Sequence, residues 1–293
     1  MPAPLSAVEA FVFRGRTFFV KRDDTVDPLL SGNKYRKLYA LIHTPSTHCR
    51  RLYSYGGTQS NAMLSIAALC AQKGWEFIYY TKPLGSHLRA HPTGNLKAAL
   101  ELGMKLVEVS HERYDETVAS LKGKCNDDEL LLPQGGADPL ARQGIERLAV
   151  EITSWLLQQG VERCYIVTPS GTGTTAYYLA GSLPHLPLIT TAVVGNGEYL
   201  REQMERLGTL PKNLMILESG KKHHFAKPYA ELYETYRELQ EAGMEFDLIY
   251  GAKMWHELLK ALPDDAPVLY IHSGGLIGNE TMLERYRYKG MCR

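Results

Sequence analysis

The sequence lacks closely spaced cysteines, an excess of charge of one sign and long apolar runs. Each of these features would place the protein in another class. It has only five cysteines in 293 residues, widely separated and without a Cys-x-x-Cys pair, so we expect neither a disulfide framework nor a metal site. We predict a reducing, cytoplasmic compartment. The 33 Lys and Arg residues nearly balance the 32 Asp and Glu residues, and a net charge of +1 supplies no long-range attraction for nucleic acid or a membrane surface. No apolar run approaches the roughly 18 residues of a membrane span.

What the sequence does contain is an alternation of strand and helix patterns. From residue 51 onward, short β-rich runs are followed by longer helical patterns, which predicts βα units and a parallel sheet. In the first unit, residues 51–55 are typical of a strand that ends at Gly56-Gly57. Residues 60–73 follow as a helix, with Ser60 as its N-cap and Gly74 at its end.

These units predict an α/β protein of two domains, each with an open, mostly parallel sheet. At about 150 residues per domain, the length is also that of two domains. Four predicted strands form a small domain over residues 47–137. Residues 1–46 and 138–293 form a larger domain into which the small one is inserted.

A glycine-rich loop between a strand and a helix is the first candidate for chemistry. It reads Ser170-Gly171-Thr172-Gly173-Thr174-Thr175. Glycines let backbone N–H groups converge at a helix N-terminus, where they can hold a phosphate. There is no Gly-Lys-Ser/Thr ending and no Gly-x-Gly-x-x-Gly, so a nucleotide is disfavoured and the phosphate of a smaller cofactor remains. A tight βα turn with polar caps is the alternative.

A lysine at a predicted helix start is the second candidate. Lys34 follows Gly32-Asn33, where the positive end of the helix dipole disfavours an ammonium ion and lowers the pKa of the lysine. A lysine in that position can act as a Schiff-base nucleophile. A solvated surface lysine is the alternative.

The third candidate is another helix start, after the strand of residues 51–55. Glycines there are followed by Thr58, Gln59, Ser60 and Asn61, so free N–H groups and short polar side chains converge. Such a helix start can bind a carboxylate. A capped turn without a ligand explains the segment equally well.

Taken together, these segments resemble the 1-aminocyclopropane-1-carboxylate deaminase/D-cysteine desulfhydrase family. The resemblance runs over nearly the whole chain and is most specific at Gly32-Asn33-Lys34-Tyr35-Arg36-Lys37-Leu38. The other matching segments, in the same order as in the family, are Gly56-Gly57-Thr58-Gln59-Ser60-Asn61, the loop at residues 170–175, Asp247-Leu248-Ile249-Tyr250-Gly251-Ala252-Lys253 and Ile271-His272-Ser273-Gly274-Gly275. Members are pyridoxal-phosphate enzymes with the tryptophan-synthase-β-like fold, fold type II. The resemblance therefore implies pyridoxal 5'-phosphate in the cleft between the two domains.

The resemblance also implies roles for individual residues. Lys34 would attach the cofactor as a Schiff base and move the α-proton of the substrate, and Asn61 would hydrogen-bond the phenolic oxygen of the cofactor. Ser60 would lie beside the substrate carboxylate or the reacting carbon, as a catalytic residue, and Thr58 and Gln59 would also lie beside the carboxylate. The residues expected to hold the cofactor phosphate are Ser170, Gly171, Thr172, Gly173 and Thr174. Tyr250 matches a tyrosine near the substrate, and Tyr229 loosely matches a second. The family further implies a homodimer and a small amino-acid substrate.

Three departures from the family bear on the substrate. Gly251 stands where the deaminases carry a glutamate that sets protonation of the pyridine nitrogen, and where the desulfhydrases carry a hydroxyl residue. Ser273 stands where the deaminases have Leu and the desulfhydrases Thr, so a hydroxyl can bond an unprotonated ring nitrogen. Ala62 stands where relatives have Gln or His, so we expect different contacts with the substrate carboxylate.

The sequence thus predicts β-elimination and deamination of a small amino acid, with D-cysteine giving pyruvate, sulfide and ammonia as the first choice. Ring opening of the cyclopropane substrate is one alternative, disfavoured by Gly251 and Ser273. A non-catalytic protein that binds pyridoxal phosphate is another, and a binder of a phosphorylated metabolite without a Schiff base is a third.

Overall fold

The structure of the protein is a computed structural model that describes residues 5–30, 32–123, 125–136, 138–262 and 266–292. Within them lie the strands β1 (Val8–Phe13), β2 (Arg16–Lys21), β3 (Arg51–Tyr55), β4 (Glu76–Thr81), β5 (Lys105–Glu108), β6 (Glu129–Leu131), β7 (Tyr165–Val167), β8 (Leu188–Thr191), β9 (Leu214–Leu217) and β10 (Val268–Ile271). They form two sheets, in the orders β1-β2-β10-β7-β8-β9 and β5-β4-β3-β6. Apart from the antiparallel pair β1 and β2, neighbouring strands run parallel. The predicted α/β architecture with two open, mostly parallel sheets is confirmed.

The helices cover these sheets. They are α1 (Asn33–Ile42), α2 (Asn61–Lys73), α3 (Ser86–Ala90), α4 (Gly94–Glu101), α5 (Tyr114–Leu121), α6 (Ala141–Gln159), α7 (Thr174–Ser182), α8 (Gly197–Glu205), α9 (Ala230–Glu241), α10 (Gly251–Ala261) and α11 (Asn279–Tyr288). The large sheet is buried on both faces: along β10, Leu269 and Ile271 pack into the core with α6 and α7, whereas Val268 and Tyr270 pack into the core with α10. This alternation is the period of two expected for a strand between two helix layers.

The division into two domains remains a prediction. All four strands of the smaller sheet lie inside the predicted residues 47–137, and the larger sheet takes its strands from both sides of that segment. Residue 137, the predicted end of the small domain, lies outside the described residues. In the part of the chain that the structure describes, no helix is both long and apolar enough to cross a membrane.

Local sequence signals explain several element boundaries. Ser60 is the N-cap of α2, as predicted from the sequence. Its Oγ accepts a hydrogen bond from Met63 N at 3.3 Å, the usual contact of a capping serine. Gly74 ends the helix in the left-handed conformation. The β1–β2 turn has positive φ at both Arg14 (49°) and Gly15 (75°), which matches the twist of the two strands it joins.

A buried cluster of charges joins α1 to β2 and α6. Arg36 is fully buried and donates to both oxygens of Asp23, at 2.9 and 2.7 Å, and to both oxygens of Glu151, at 2.7 and 2.9 Å. Lys21 lies 2.7 Å from Glu151 Oε2, and Ser6 Oγ donates to Asp23 Oδ1 at 2.6 Å. Burial alone would raise the pKa of Glu151, but Arg36 and Lys21 outweigh it and hold that pKa below its usual value. Each buried charge therefore depends on its partners.

Replacing Arg36 by Leu should leave two buried carboxylates with too few cations, and should lower the free energy of unfolding by about 3–5 kcal/mol. Urea-induced unfolding measures this loss. The matched control is Arg14→Leu, because Arg14 pairs with Glu238 at the surface, where the side chains are 55% and 43% exposed; its cost should stay below about 1 kcal/mol. Similar losses in the two variants would contradict the importance assigned to the buried cluster.

Candidate active site

The polar segments predicted from sequence meet where parallel strands end. β10 runs into His272 and Ser273, β7 leads to the loop at residues 170–175, and β3 leads to the start of α2. Ligands of open α/β sheets bind at this edge, outside the carboxyl ends of the strands.

The start of α1 lies against the backbone that follows β10. Gly32 has φ 60°, and a Cβ atom on it would lie 1.8 Å from Ser273 O, so only glycine permits this approach. Asn33 N donates to the same carbonyl at 3.3 Å. Lys34 is therefore placed one residue beyond a fixed contact with Ser273.

Lys34 is buried, and its amino group has a neutral amide oxygen rather than a carboxylate as its hydrogen-bond partner. It is 8% exposed, and its Nζ donates to Asn33 Oδ1 at 2.7 Å. Burial lowers the pKa of Lys34 to about 8, although the charge of Asp247 opposes the shift. Desolvation at a buried position thus favours the neutral amine, the same direction that the sequence predicts from the helix dipole.

Lys37 is a second buried lysine close to Lys34 on α1; it is part of the family motif, and the sequence favours Lys34 over it as the Schiff-base residue. Its Nζ donates to Gly135 O at 3.0 Å. Burial, together with the charge of Lys34, lowers its pKa well below the usual value for lysine. A Cβ on Gly135 would lie 3.0 Å from Thr172 Cγ2, so the carbonyl that binds Lys37 belongs to a residue next to the glycine-rich loop. The spacing of three residues from Lys34, one helical turn, was the signal available in the sequence.

The glycine-rich loop opens α7 as predicted. Gly173 is the N-cap with φ 76° and supplies no side-chain cap, so the first N–H groups of α7 have no N-cap side chain to donate to. Thr172 Oγ1 and Thr174 Oγ1 are 3.0 Å apart. Ser170 Oγ accepts from Thr190 Oγ1 at 2.7 Å. Thr175 Oγ1 is buried without a hydrogen-bond partner among the described residues.

Tyr250 lies over this loop. A Cβ on Gly171 would be 3.3 Å from Tyr250 Cε1, so the ring and the loop backbone are in close contact. The segment before α10 is fixed by Asp247, whose carboxylate accepts from Tyr250 N at 2.6 Å, Gly251 N at 2.9 Å and Ile249 N at 3.1 Å. Burial raises the pKa of Asp247, and these N–H groups oppose the rise. Asp247 is part of the family motif at residues 247–253, but its role as an acceptor for these N–H groups depends on how the backbone folds around it.

The start of α2 brings the remaining predicted polar residues to the site. Gln59 is 4% exposed, and neither its Oε1 nor its Nε2 has a partner in the described part of the chain. Asn61 reaches the loop after β10, where a Cβ on Gly275 would lie 2.2 Å from Asn61 Nδ2. Thr58 is half-buried beside them.

Tyr229 is placed differently from the other predicted residues. Its hydroxyl accepts from His224 N at 2.9 Å, and its backbone N donates to Tyr286 Oη at 3.3 Å. Tyr229 and Tyr250 both pack against the same cluster of buried hydrophobic residues, and the ring centroid of Phe225, another residue packed there, is 6.0 Å from that of Tyr250. Among the hydrogen bonds of the described residues, none joins Tyr229 to another predicted site residue.

Over the described ranges, no three His, Cys, Asp or Glu side chains are grouped so that they could hold a metal ion.

Two curated relatives extend over almost the whole chain. A putative 1-aminocyclopropane-1-carboxylate deaminase of Thermotoga maritima is 25% identical, with 90% of this chain and 90% of the relative covered. A D-cysteine desulfhydrase of Salmonella choleraesuis is 26% identical, with 94% of this chain and 92% of the relative covered.

Solved structures share the fold. A homologue of 1-aminocyclopropane-1-carboxylate deaminase has a TM-score of 0.75 at 21% identity, covering 99% of this chain and 94% of its own. An L-serine ammonia-lyase from Rhizomucor miehei has a TM-score of 0.67 at 13% identity, covering 98% of each chain. These neighbours have fold type II, so the fold predicted from the motifs is confirmed.

The family model described as "pyridoxal-phosphate dependent enzyme" matches residues 2–195, which is more than half of the 293 residues. The matched segment contains Lys34, Asn61 and the glycine-rich loop, so it includes the three candidate regions that the sequence singled out. The chain therefore belongs to the family of pyridoxal-phosphate-dependent enzymes.

Proposed function

We propose that this chain is a pyridoxal-phosphate-dependent lyase and deaminase, with D-cysteine as its preferred substrate and pyruvate, hydrogen sulfide and ammonia as products. The observation that carries the proposal is the buried Lys34, with its lowered pKa, at the point where the segments of the motif meet. The names of the two curated relatives support the same reaction class.

The residues of the site fit the cofactor. Thr175 Oγ1 is buried without a partner among the described residues, and the N-terminus of α7 has no side-chain cap. Both are groups that a phosphate can satisfy, because its oxygens accept hydrogen bonds from N–H and O–H donors. We assign the phosphate to Ser170, Gly171, Thr172, Gly173 and Thr174, together with Thr175.

Lys37 adds a cation to this phosphate site in our proposal. A buried ammonium group with a carbonyl as its hydrogen-bond acceptor is poorly stabilised, and Lys37 has Gly135 O in that role. A phosphate beside Lys37 would favour its charged form and would restore its pKa toward the usual value. Lys37 thus differs from Lys34 in function, although both lie on one face of α1.

The bound cofactor supplies an electrophilic carbon and an electron sink for the α-carbanion of an amino acid. Lys34 supplies the amine that holds the cofactor and then moves the α-proton. About a tenth of a lysine with a pKa one unit above the ambient pH is neutral, against well under a thousandth for an ordinary lysine. The burial of Lys34 therefore provides the nucleophilic form near neutral pH.

The substrate preference rests on the residues near Ser273 and Gly251. In our proposal the Ser273 hydroxyl hydrogen-bonds an unprotonated ring nitrogen. The backbone carbonyl of Ser273 accepts from the N–H of Asn33, the residue before Lys34. A side chain at position 251 would meet Phe246 Cβ at 2.8 Å and Asp247 Oδ2 at 3.1 Å from its own Cβ. The glutamate of the deaminases thus has no room here without a rearrangement. A neutral ring suits elimination of a good leaving group better than opening of a cyclopropane.

The substrate carboxylate is assigned to the start of α2. Gln59 offers an unpartnered amide among the described residues, and Thr58 and Ser60 flank it. We assign Tyr250 to the substrate side of the site because its ring covers the glycine-rich loop. Tyr229 keeps a proposed role at the substrate. A homodimer in the cytoplasm remains a prediction from the sequence.

Changing Lys34 to Ala should abolish covalent attachment of pyridoxal phosphate and all turnover. After borohydride reduction, intact mass spectrometry should show the added cofactor on the wild type but not on Lys34→Ala. Lys37→Met should still be labelled, although its affinity for the cofactor should fall by about 10- to 100-fold, the expected effect of losing one hydrogen bond to a charged group. Lys253→Met, which removes another buried lysine, controls for non-specific effects and should remain labelled. Labelling of Lys34→Ala would overturn the assignment.

The rate at which the cofactor-free enzyme takes up pyridoxal phosphate should follow the ionisation of Lys34. The neutral amine reacts, so the rate should rise with pH and level off above a midpoint near 8, the pKa set by burial. Stopped-flow absorbance measures the uptake. A rate that keeps rising to the ordinary lysine pKa of about 10.4 would show that Lys34 is solvated.

A panel of amino acids tests the reaction. Keto-acid release should be detectable with D-cysteine and β-chloro-D-alanine, and little or none should be formed from 1-aminocyclopropane-1-carboxylate; Lys34→Ala serves as the blank. Faster turnover of the cyclopropane substrate would favour the deaminase alternative. Cofactor binding without turnover of any amino acid in the panel would favour the non-catalytic alternative.

A further inference from the structure

Two amide side chains, those of Asn95 and Asn61, and the backbone carbonyl of Gln59 form a row beside the site. Asn95 is fully buried at the start of α4, and its Nδ2 donates to Asn61 Oδ1 at 2.8 Å and to the backbone carbonyl of Gln59 at 3.3 Å. Asn95 Oδ1 has no partner among the described residues. The amide of Asn61 therefore lies between Asn95 on one side and the loop after β10 on the other.

The backbone carbonyl of Gln59 fixes which atoms of the two amides donate and which accept. A backbone carbonyl can only accept, so the Asn95 atom that faces it must be the donor Nδ2. Since the same Nδ2 also faces Asn61, the Asn61 atom turned toward it must be the acceptor Oδ1. Asn61 Nδ2 is then turned the other way, toward Gly275, where a Cβ would lie 2.2 Å from it.

Asn95 is held in place from the opposite side of the site. At the start of α4, Gly94 N donates to Glu280 Oε2 at 2.9 Å, and Thr93 Oγ1 lies 3.0 Å from Thr281 Oγ1. These contacts connect α4 to α11. A Cβ on Gly278 would lie 3.4 Å from Asn95 Nδ2, so the turn before α11 also packs closely on the amide. Asn95 is therefore anchored independently of Asn61.

We propose that Asn95 is a positioning residue for cofactor binding. It keeps Asn61 turned so that Nδ2, a donor, faces the phenolic oxygen of pyridoxal phosphate, an acceptor. The inference rests on the proposed function, specifically on the contact of Asn61 with the cofactor. Without Asn95, the Asn61 amide can present either its donor or its acceptor, and the acceptor would repel the phenolic oxygen.

The test is a double-mutant cycle on cofactor affinity. Asn95→Asp keeps the shape of the side chain but offers only acceptors when ionised, so Asn61 should turn its Nδ2 toward Asp and its Oδ1 toward the cofactor. Titration of the cofactor-free protein with pyridoxal phosphate, followed by tryptophan fluorescence, should show a Kd raised by about 10-fold or more in Asn95→Asp and in Asn61→Ala. In the Asn61→Ala background, adding Asn95→Asp should change the Kd by less than about twofold, because no amide remains to be turned.

Asn213→Asp is the matched control, because Asn213 Nδ2 also donates to backbone carbonyls, those of Ala180, Leu183 and Leu186 at 3.1, 2.9 and 2.7 Å. This variant should lose thermal stability but keep the wild-type Kd. If Asn95→Asp does not fold, as judged by thermal unfolding of the cofactor-free protein, Asn95→Ala replaces it in the cycle.

The outcomes separate the two hypotheses. A wild-type Kd in the Asn95 variant, with a raised Kd in Asn61→Ala, would overturn the role of Asn95 and leave the proposed function intact. A wild-type Kd in Asn61→Ala would overturn the contact of Asn61 with the cofactor, and the role of Asn95 with it. Equal losses from the Asn95 change in both backgrounds would indicate a structural disturbance that does not act through Asn61, and would also overturn the inference.

Discussion

The arginine at the centre of α1 holds that helix in place. Arg36 is fully buried between the carboxylates of Asp23 and Glu151, which come from the segment after β2 and from α6. Two planar, doubly hydrogen-bonded pairs on one guanidinium leave α1 little freedom to rotate or slide. Lys34 precedes Arg36 by two residues, and the close approach of Gly32 to Ser273 fixes the start of the same helix. The position of the reactive amine is therefore set by contacts on both sides of it.

The site differs from this cluster in how its charges are balanced. Arg36 has carboxylates as partners, whereas the ammonium groups of Lys34 and Lys37 donate to an amide oxygen and a backbone carbonyl. Burial without direct carboxylate partners lowers the pKa of both lysines. In the proposed site an anionic cofactor supplies the missing negative charge, so binding of pyridoxal phosphate would balance the two lysines.

The loop before α10 bears on the proposed substrate preference, because it fixes the residue at position 251. Asp247 uses its carboxylate to accept three backbone N–H groups, and so it fixes the backbone of Tyr250 and Gly251. The same packing leaves no space for a larger residue at position 251. The glycine that departs from the family pattern is thus required by its neighbours Phe246 and Asp247, and the ring nitrogen must find its partner elsewhere, for which Ser273 is our proposal.

The sequence by itself determined the local structure and the identity of the chemical groups. The strand at Arg51–Tyr55, the cap at Ser60 and the glycine-rich start of α7 follow from short-range patterns, because caps and turns depend on residues a few positions apart. The family motif also led to the prediction of roles for Lys34 and Asn61. Only the tertiary structure decided which groups become partners over long separations. Lys37 and Gly135 are 98 residues apart, Arg36 and Glu151 are 115 apart, and Asn61 and Asn95 are 34 apart. No local pattern encodes such pairs, since burial and hydrogen bonding across elements depend on how the sheets and helices pack.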